Sequence, residues 1–283
     1  MMLYESSDSF LEETVDFESA KYIVIPAPLD ITTTYLKGTK FGPRAVIEAS
    51  RSLENYDVEL RYEIRDKVFT LGELELPPDI NLSMDVIKLT VSDVLAKGKF
   101  PIILGGEHTC GYGASLAFDN DVVFVIFDAH ADFKKDVLGV GINHASNSRL
   151  ISKKKDIALI GVRSLSVDDE TELKKSKVKI IYADEVNENN INKLISSLKN
   201  RKVYISVDMD VFDPALAPGV GTPQPGGISY PQFLSILGKI SKASKIVGLD
   251  VVEVRPIGEN KITEVLAAKL VMDVISLNEL KKN

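Results

Sequence analysis

The apolar run VVFVIF ends in DAHAD, which sets Asp128, His130 and Asp132 two residues apart. In a strand, residues i and i+2 share a side and lie roughly 6.6 Å apart along the chain, so Asp128 and His130 can turn toward one place with Asp132 just beyond. SVDMD repeats the device with Asp208 and Asp210 after KVYI, and GGEHT brings His108 after FPIIL. The 283 residues hold 3 histidines, at 108, 130 and 144, so their gathering in one short stretch is not a by-product of abundance. Carboxylates crowded together repel one another unless a cation compensates them. Mixed carboxylate and imidazole donors suit a borderline divalent metal, whereas calcium and magnesium normally take oxygen alone. Six donors exceed what one catalytic zinc requires. Two ions sharing carboxylates account for the surplus, and such pairs are a device for hydrolysis.

Each piece alone has an ordinary explanation. An Asp-x-Asp often just ends a strand in solvent. An EF-hand is excluded, because Asp213 and Gly219 stand where glycine and glutamate are needed. GGEHTCGYG lacks the Lys-Ser/Thr of a phosphate loop and the spacing of a dinucleotide turn. Cys110, the sole cysteine, reads as a packed core thiol. It is the coincidence at four strand ends that points to metal.

The elements that must hold these groups alternate along the chain. Strand-like runs begin at Lys21, Lys67, Phe100, Val122, Asp156, Val178, Lys202 and Lys245. They are β-branched and nearly continuously apolar, as strands covered on both faces should be. Helical patterns lie between them, among them NLSMDVIKLTVSDVLAK, NENNINKLISSLK, SYPQFLSILGKIS and the final ITEVLAAKLVMDVISLNELKK. Such alternation implies βαβ units, a mostly parallel sheet and one domain over 1–283. Ligands of such sheets bind beyond the carboxyl ends of the strands, where Glu253 also falls. A net charge of −7 excludes an ordinary nucleic-acid binder and offers nothing to anionic membranes. The acidic start lacks the pattern of a secretory leader, and no apolar run approaches a membrane span, so the cytoplasm is expected.

At these residues the chain resembles the ureohydrolase family, the arginases and agmatinases. SVDMDVFDPALAPGVGTPQPGG is similar to that family's long loop motif, GGEHT to its G-G-[DE]-H-[ST], and DAHAD to its D-A-H-x-D. DVVEVRP around Glu253 and the stretch from Pro28 to Ser50 are similar as well. The resemblance implies a three-layer α/β/α sandwich around an eight-stranded, mostly parallel sheet, with two manganese ions per chain. By position, Asp128 and Asp208 would bridge the metals. His108 and Asp132 would complete one site, His130 and Asp210 the other. His144 would handle protons near the substrate, Glu253 would pair with a guanidinium, and Asp132 would protonate the departing amine after attack by a bridging hydroxide. Family members form homo-oligomers, so a trimer or hexamer is expected.

The expected partner is a small cationic guanidino compound. Arginases are similar to one another in a polar loop after D-A-H-x-D that grips the amino-acid head. Here that stretch is FKKDVLGVGINHAS, nearly bare of such donors, and INHAS with Arg149 resembles archaeal-type agmatinases. Agmatine, with no carboxylate to hold, is the expected substrate, giving putrescine and urea. Arginine, guanidinobutyrate and formimidoylglutamate are the alternatives, because Gln224, Arg255 and Glu259 depart from the usual pattern. A single-zinc deacylase and a non-enzymatic metal-binding protein remain as readings from other classes.

Overall fold

All eight apolar runs form strands of one sheet in the computed structural model, which describes residues 8–12, 15–137 and 139–281. The ends of the expected 1–283 domain, and Leu138 within the FKKDVLGVGINHAS stretch, lie outside the described residues. The strands are β1 (Tyr22–Ala27), β2 (Tyr56–Asp57), β3 (Tyr62–Glu63), β4 (Val68–Thr70), β5 (Phe100–Gly105), β6 (Val123–Phe127), β7 (Ile157–Val162), β8 (Lys179–Tyr182), β9 (Lys202–Asp208) and β10 (Lys245–Val252). β2 and β3 form a small antiparallel hairpin. The others line up as β4-β1-β5-β10-β9-β6-β7-β8, every neighbouring pair parallel.

The helices are α1 (Gly42–Ser50), α2 (Ile80–Ala96), α3 (Thr109–Ser115), α4 (Asn147–Ser152), α5 (Val167–Lys175), α6 (Glu188–Leu198), α7 (Tyr230–Ala243) and α8 (Ile262–Leu280). Strand alternation assigns them to two layers. Tyr22, Val24, Ile102 and Ile205 pack with residues of α1, α6, α7 and α8, while Ile23, Ile25, Ile103 and Phe124 pack with residues of α2, α3, α4 and α5. The result is an α/β/α sandwich with both faces of the sheet covered. Truncating a fully buried side chain such as Ile205 to alanine removes about 2–5 kcal/mol of stability.

Local signals start the helices. Asp79 accepts from the amides of Asn81 and Leu82 at the head of α2, and Ser229 with Gln232 forms a capping box at α7. α3 is the exception, since TCGYGAS carries two glycines that weaken a helix. It forms because it packs closely on α2: a Cβ at Gly113 would already stand 3.1 Å from Ile87. Among the described residues, no helix is long and apolar enough to cross a membrane.

One buried ion cluster ties the hairpin to α8. Lys269 Nζ lies 3.0 Å from Asp57 Oδ2 and 2.5 Å from Asp273 Oδ1, and Tyr230 donates to Asp273 Oδ2 at 3.0 Å. Burial pushes the Asp273 carboxyl up from 3.8 to about 7, against the pull of Lys269. The folded state therefore holds this proton longer than the unfolded chain does. The stability it contributes is complete below the unfolded value and is lost as pH rises through about 7. In denaturant titrations of metal-stripped protein from pH 5 to pH 8, wild type should lose stability relative to Asp273→Asn as pH rises. A difference that stays flat across that range would contradict the assignment.

Candidate active site

The four strands that end in the polar motifs are adjacent at the middle of the sheet, in the order β5-β10-β9-β6. Their carboxyl ends carry GGEHT, Glu253, SVDMD and DAHAD. Parallel order is what makes segments 145 residues apart neighbours: the His108 amide donates to Glu253 Oε1 at 2.8 Å.

His108 Nδ1 faces three carboxylates, 3.1 Å from Asp128 Oδ2, 3.1 Å from Asp132 Oδ2 and 3.3 Å from Asp208 Oδ2. His130 Nδ1 lies 2.8 Å from Asp210 Oδ2 and 3.7 Å from Asp128 Oδ1. Two groups of donor atoms result, each gathered within 4.8 Å: His108 with Asp128 and Asp208, and Asp128 with His130 and Asp210. Asp128 stands in both groups. Asp208, expected to bridge as well, stands in the His108 group only, and Asp132 reaches the cluster through His108 from outside the two groups.

The electrostatics state the same demand. Burial alone would strip His108 of its proton, but Asp128, Asp132 and Asp208 outweigh it and hold the imidazole well above its ordinary range. His130 is likewise buried, yet Asp128 and Asp210 push it up to about 12. Burial and then the neighbouring carboxylates raise Asp208 and Asp132. The carboxylates thus require positive charge in their midst. His108 Nδ1 and Asp128 Oδ2 are buried and make no hydrogen bond, though each points into the cluster. This donor set fits divalent cations with mixed nitrogen and oxygen ligands.

Four of the donors, His108, Asp128, Asp208 and Asp210, are held by hydrogen bonds from behind. His108 Nε2 lies 3.1 Å from Ser206 Oγ, which donates to Asp250 Oδ1 at 2.6 Å, so the ring is fixed with Nδ1 toward the carboxylates. The His130 amide donates to Asp128 Oδ1, the Asp210 amide to Asp208 Oδ1 and the Ala129 amide to Asp210 Oδ1. Thr222 donates to Asp210 Oδ2 at 3.3 Å. Asp132 and Glu253 adopt left-handed backbone, with φ of 47° and 64°. Such a conformation costs on the order of 1–3 kcal/mol each for a residue with a side chain and persists only where the surroundings enforce it. At Glu253 the enforcing contact is its own amide, which donates to Gly106 O at 2.7 Å.

Beside the cluster, His144 Nδ1 lies 4.0 Å from Glu253 Oε1. The His144 amide donates to Thr32 Oγ1, and its Nε2 is 3.1 Å from Thr34 Oγ1. Glu107 pins that segment: fully buried, it accepts from the amides of Ile31 and Thr32 and from the hydroxyls of Thr32 and Thr109. A Cβ at Gly221 would lie 3.6 Å from Glu253 Oε2 and 3.2 Å from Leu36 O, so glycine keeps room beside the carboxylate. The structure therefore brings all eight residues singled out in the sequence into one region. Glu107, Ser206 and Thr222 were missed as supports, although the first two lie inside the motifs GGEHT and SVDMD. Of the departures, Arg255 donates to Lys37 O at 2.9 Å and Glu259 is exposed. Lys134, the first cation after DAHAD, stands 3.8 Å from Asp169.

The arginase family model matches residues 20–276. An agmatinase of Pyrococcus horikoshii is 33% identical over 98% of this chain and 99% of its own length. An N(1)-aminopropylagmatine ureohydrolase of Synechocystis is 32% identical over 92% of this chain and 89% of its own. Among solved structures, an agmatine ureohydrolase of Thermoplasma volcanium superposes with a TM-score of 0.90 at 36% identity, covering 97% of this chain and 95% of that one.

Proposed function

The chain belongs to the arginase family and is a hydrolase of the ureohydrolase type, and from that premise we propose that it hydrolyses agmatine to putrescine and urea with two manganese ions per chain. The observation that carries this reading is Asp128, one carboxylate shared by two donor groups beside a buried glutamate. In the proposal His108, Asp128, His130, Asp132, Asp208 and Asp210 hold the cations. When bound, such a pair supplies Lewis acidity that lets water act as a nucleophile at neutral pH.

The chain's own groups do the rest. Glu253 binds and orients the guanidinium, offsetting its repulsion by the cations and setting its carbon toward the attacking water. A C–O bond forms at that carbon and the C–N bond to the aminobutyl chain breaks. Asp132 takes a proton from the attacking water and gives it to the departing amine, and His144, tied to Thr32 and Thr34, carries the remaining proton between the site and solvent.

Agmatine is favoured over arginine because a carboxylate calls for several placed donors. The stretch after DAHAD supplies few of them, and Lys134 already has Asp169 beside it. A second reading is N1-aminopropylagmatine, the substrate in the name of a relative 32% identical to the chain. We also take the chain as one domain that forms a homo-oligomer in the cytoplasm, consistent with a lone buried cysteine.

The test is urea release from agmatine, N1-aminopropylagmatine, arginine and guanidinobutyrate, with and without manganese, and formamide release from formimidoylglutamate. Manganese-dependent turnover should be largest with agmatine. Preference for any other compound would replace the substrate, and bound metal with no turnover on all five would overturn the reading.

A further inference from the structure

Arg163 stands one residue beyond β7, close to the carboxylates yet spending its hydrogen bonds elsewhere. Among the described residues, each hydrogen bond of its guanidinium ends on a backbone carbonyl. Nη2 donates to Asp210 at 2.7 Å, Gln224 at 2.8 Å and Phe212 at 3.2 Å. Nη1 donates to Gly161 at 3.1 Å and Val211 at 3.2 Å, and Nε to Pro225 at 3.1 Å and Gln224 at 3.3 Å. Its amide donates to Ala129 O at 2.8 Å, and the next amide, of Ser164, to the same oxygen at 2.9 Å.

One residue thus joins three segments: DAHAD through its main chain, and through its side chain both 210–212 and 224–225. The approach is prepared locally. β7 slips register against β8 between Ile160 and Val162, and Gly161 sits there at φ 98°. A Cβ at Gly161 would stand 2.6 Å from Val211 Cγ2, so only glycine lets the 210–212 segment lie against the strand end. Lysine could not replace the fork, since three donors on one atom cannot span carbonyls on opposite sides of a planar group.

The consequence falls on one half of the cluster. Asp210 belongs to the group with Asp128 and His130, whereas His108 is held by Ser206 and Asp208 is the last residue of β9, where its Oδ1 also accepts from the Asp210 amide. We propose that Arg163 is a positioning residue for the Asp128–His130–Asp210 half of the centre, setting the main chain from which Asp210 reaches its cation. This inference rests on the two-cation reading above.

The test uses the full chain, stripped of metal and titrated with manganese chloride by calorimetry, as wild type, Arg163→Lys and Arg163→Gln. Wild type should bind two equivalents. In both variants one equivalent should bind roughly 10–100-fold more weakly, the range typical of lost support behind a metal ligand, while the other stays within about threefold. Circular dichroism of the stripped proteins checks that they fold. Equal weakening of both equivalents, or no weakening of either, would overturn the inference. So would failure of both variants to fold, which would make Arg163 a core support. A wild type that binds fewer than two equivalents would instead remove the two-cation reading, and this inference with it.

Discussion

Asp128→Asn is expected to empty both halves of the centre and to lower urea release by about 10³-fold or more. Asp128 alone stands in both donor groups, and its two oxygens face different histidines. Asparagine keeps the shape and the oxygen that accepts from the His130 amide, so the fold should survive. It loses the charge that both cations require. A metal centre supplies several kcal/mol of charge stabilisation, and at 1.36 kcal/mol per tenfold a loss of about 4 kcal/mol is about three orders of magnitude. Elemental analysis of the purified variant should find far less than one manganese per chain. Two firmly held ions and near-normal turnover would remove Asp128 from its shared role.

The second large effect is expected at Glu253 and should look different. Glu253→Gln ought to leave manganese content unchanged while lowering kcat/KM for agmatine by roughly 10²–10³-fold. Removing one partner of a buried, hydrogen-bonded charge pair costs about 2–5 kcal/mol, and the guanidinium would be left facing two cations with no anion beside it. Glutamine can still accept from the His108 amide, so the local fold has its contact. Steady-state urea kinetics at saturating manganese would measure the change. An unaltered kcat/KM would show that another group binds the guanidinium, and a parallel loss of metal would make Glu253 part of the centre's support.

The strands were legible because a strand covered on both faces reads as a nearly continuous apolar run, and the runs that became the inner strands do so. Their order was not legible: nothing in KVYISVD says that it lies between β10 and β6, because partnership in a parallel sheet is decided by crossovers. The gathering of the donors was legible because carboxylates and imidazoles at strand ends have few other uses in such numbers. Its supports were not, for three separate reasons. Glu107 sits in plain view in GGEHT, but its partners Ile31 and Thr32 lie more than 70 residues away. Ser206 acts through a serine–aspartate contact 44 residues long. Among the described residues the hydrogen bonds of the Arg163 guanidinium all end on main chain, which leaves no trace in the residue types it meets. α3 escaped because two glycines argue against a helix until its close neighbour α2 is known.

The left-handed turns at Asp132 and Glu253 set a bound on how this protein could be hardened. Asparagine or glycine would relax either turn, so selection for heat resistance alone would drift toward those residues. If these carboxylates act as proposed, each step would exchange one of them for a more comfortable main chain. Durability and turnover compete here at two identifiable positions, and a catalyst kept in use must go on carrying the tension that an idle one would shed.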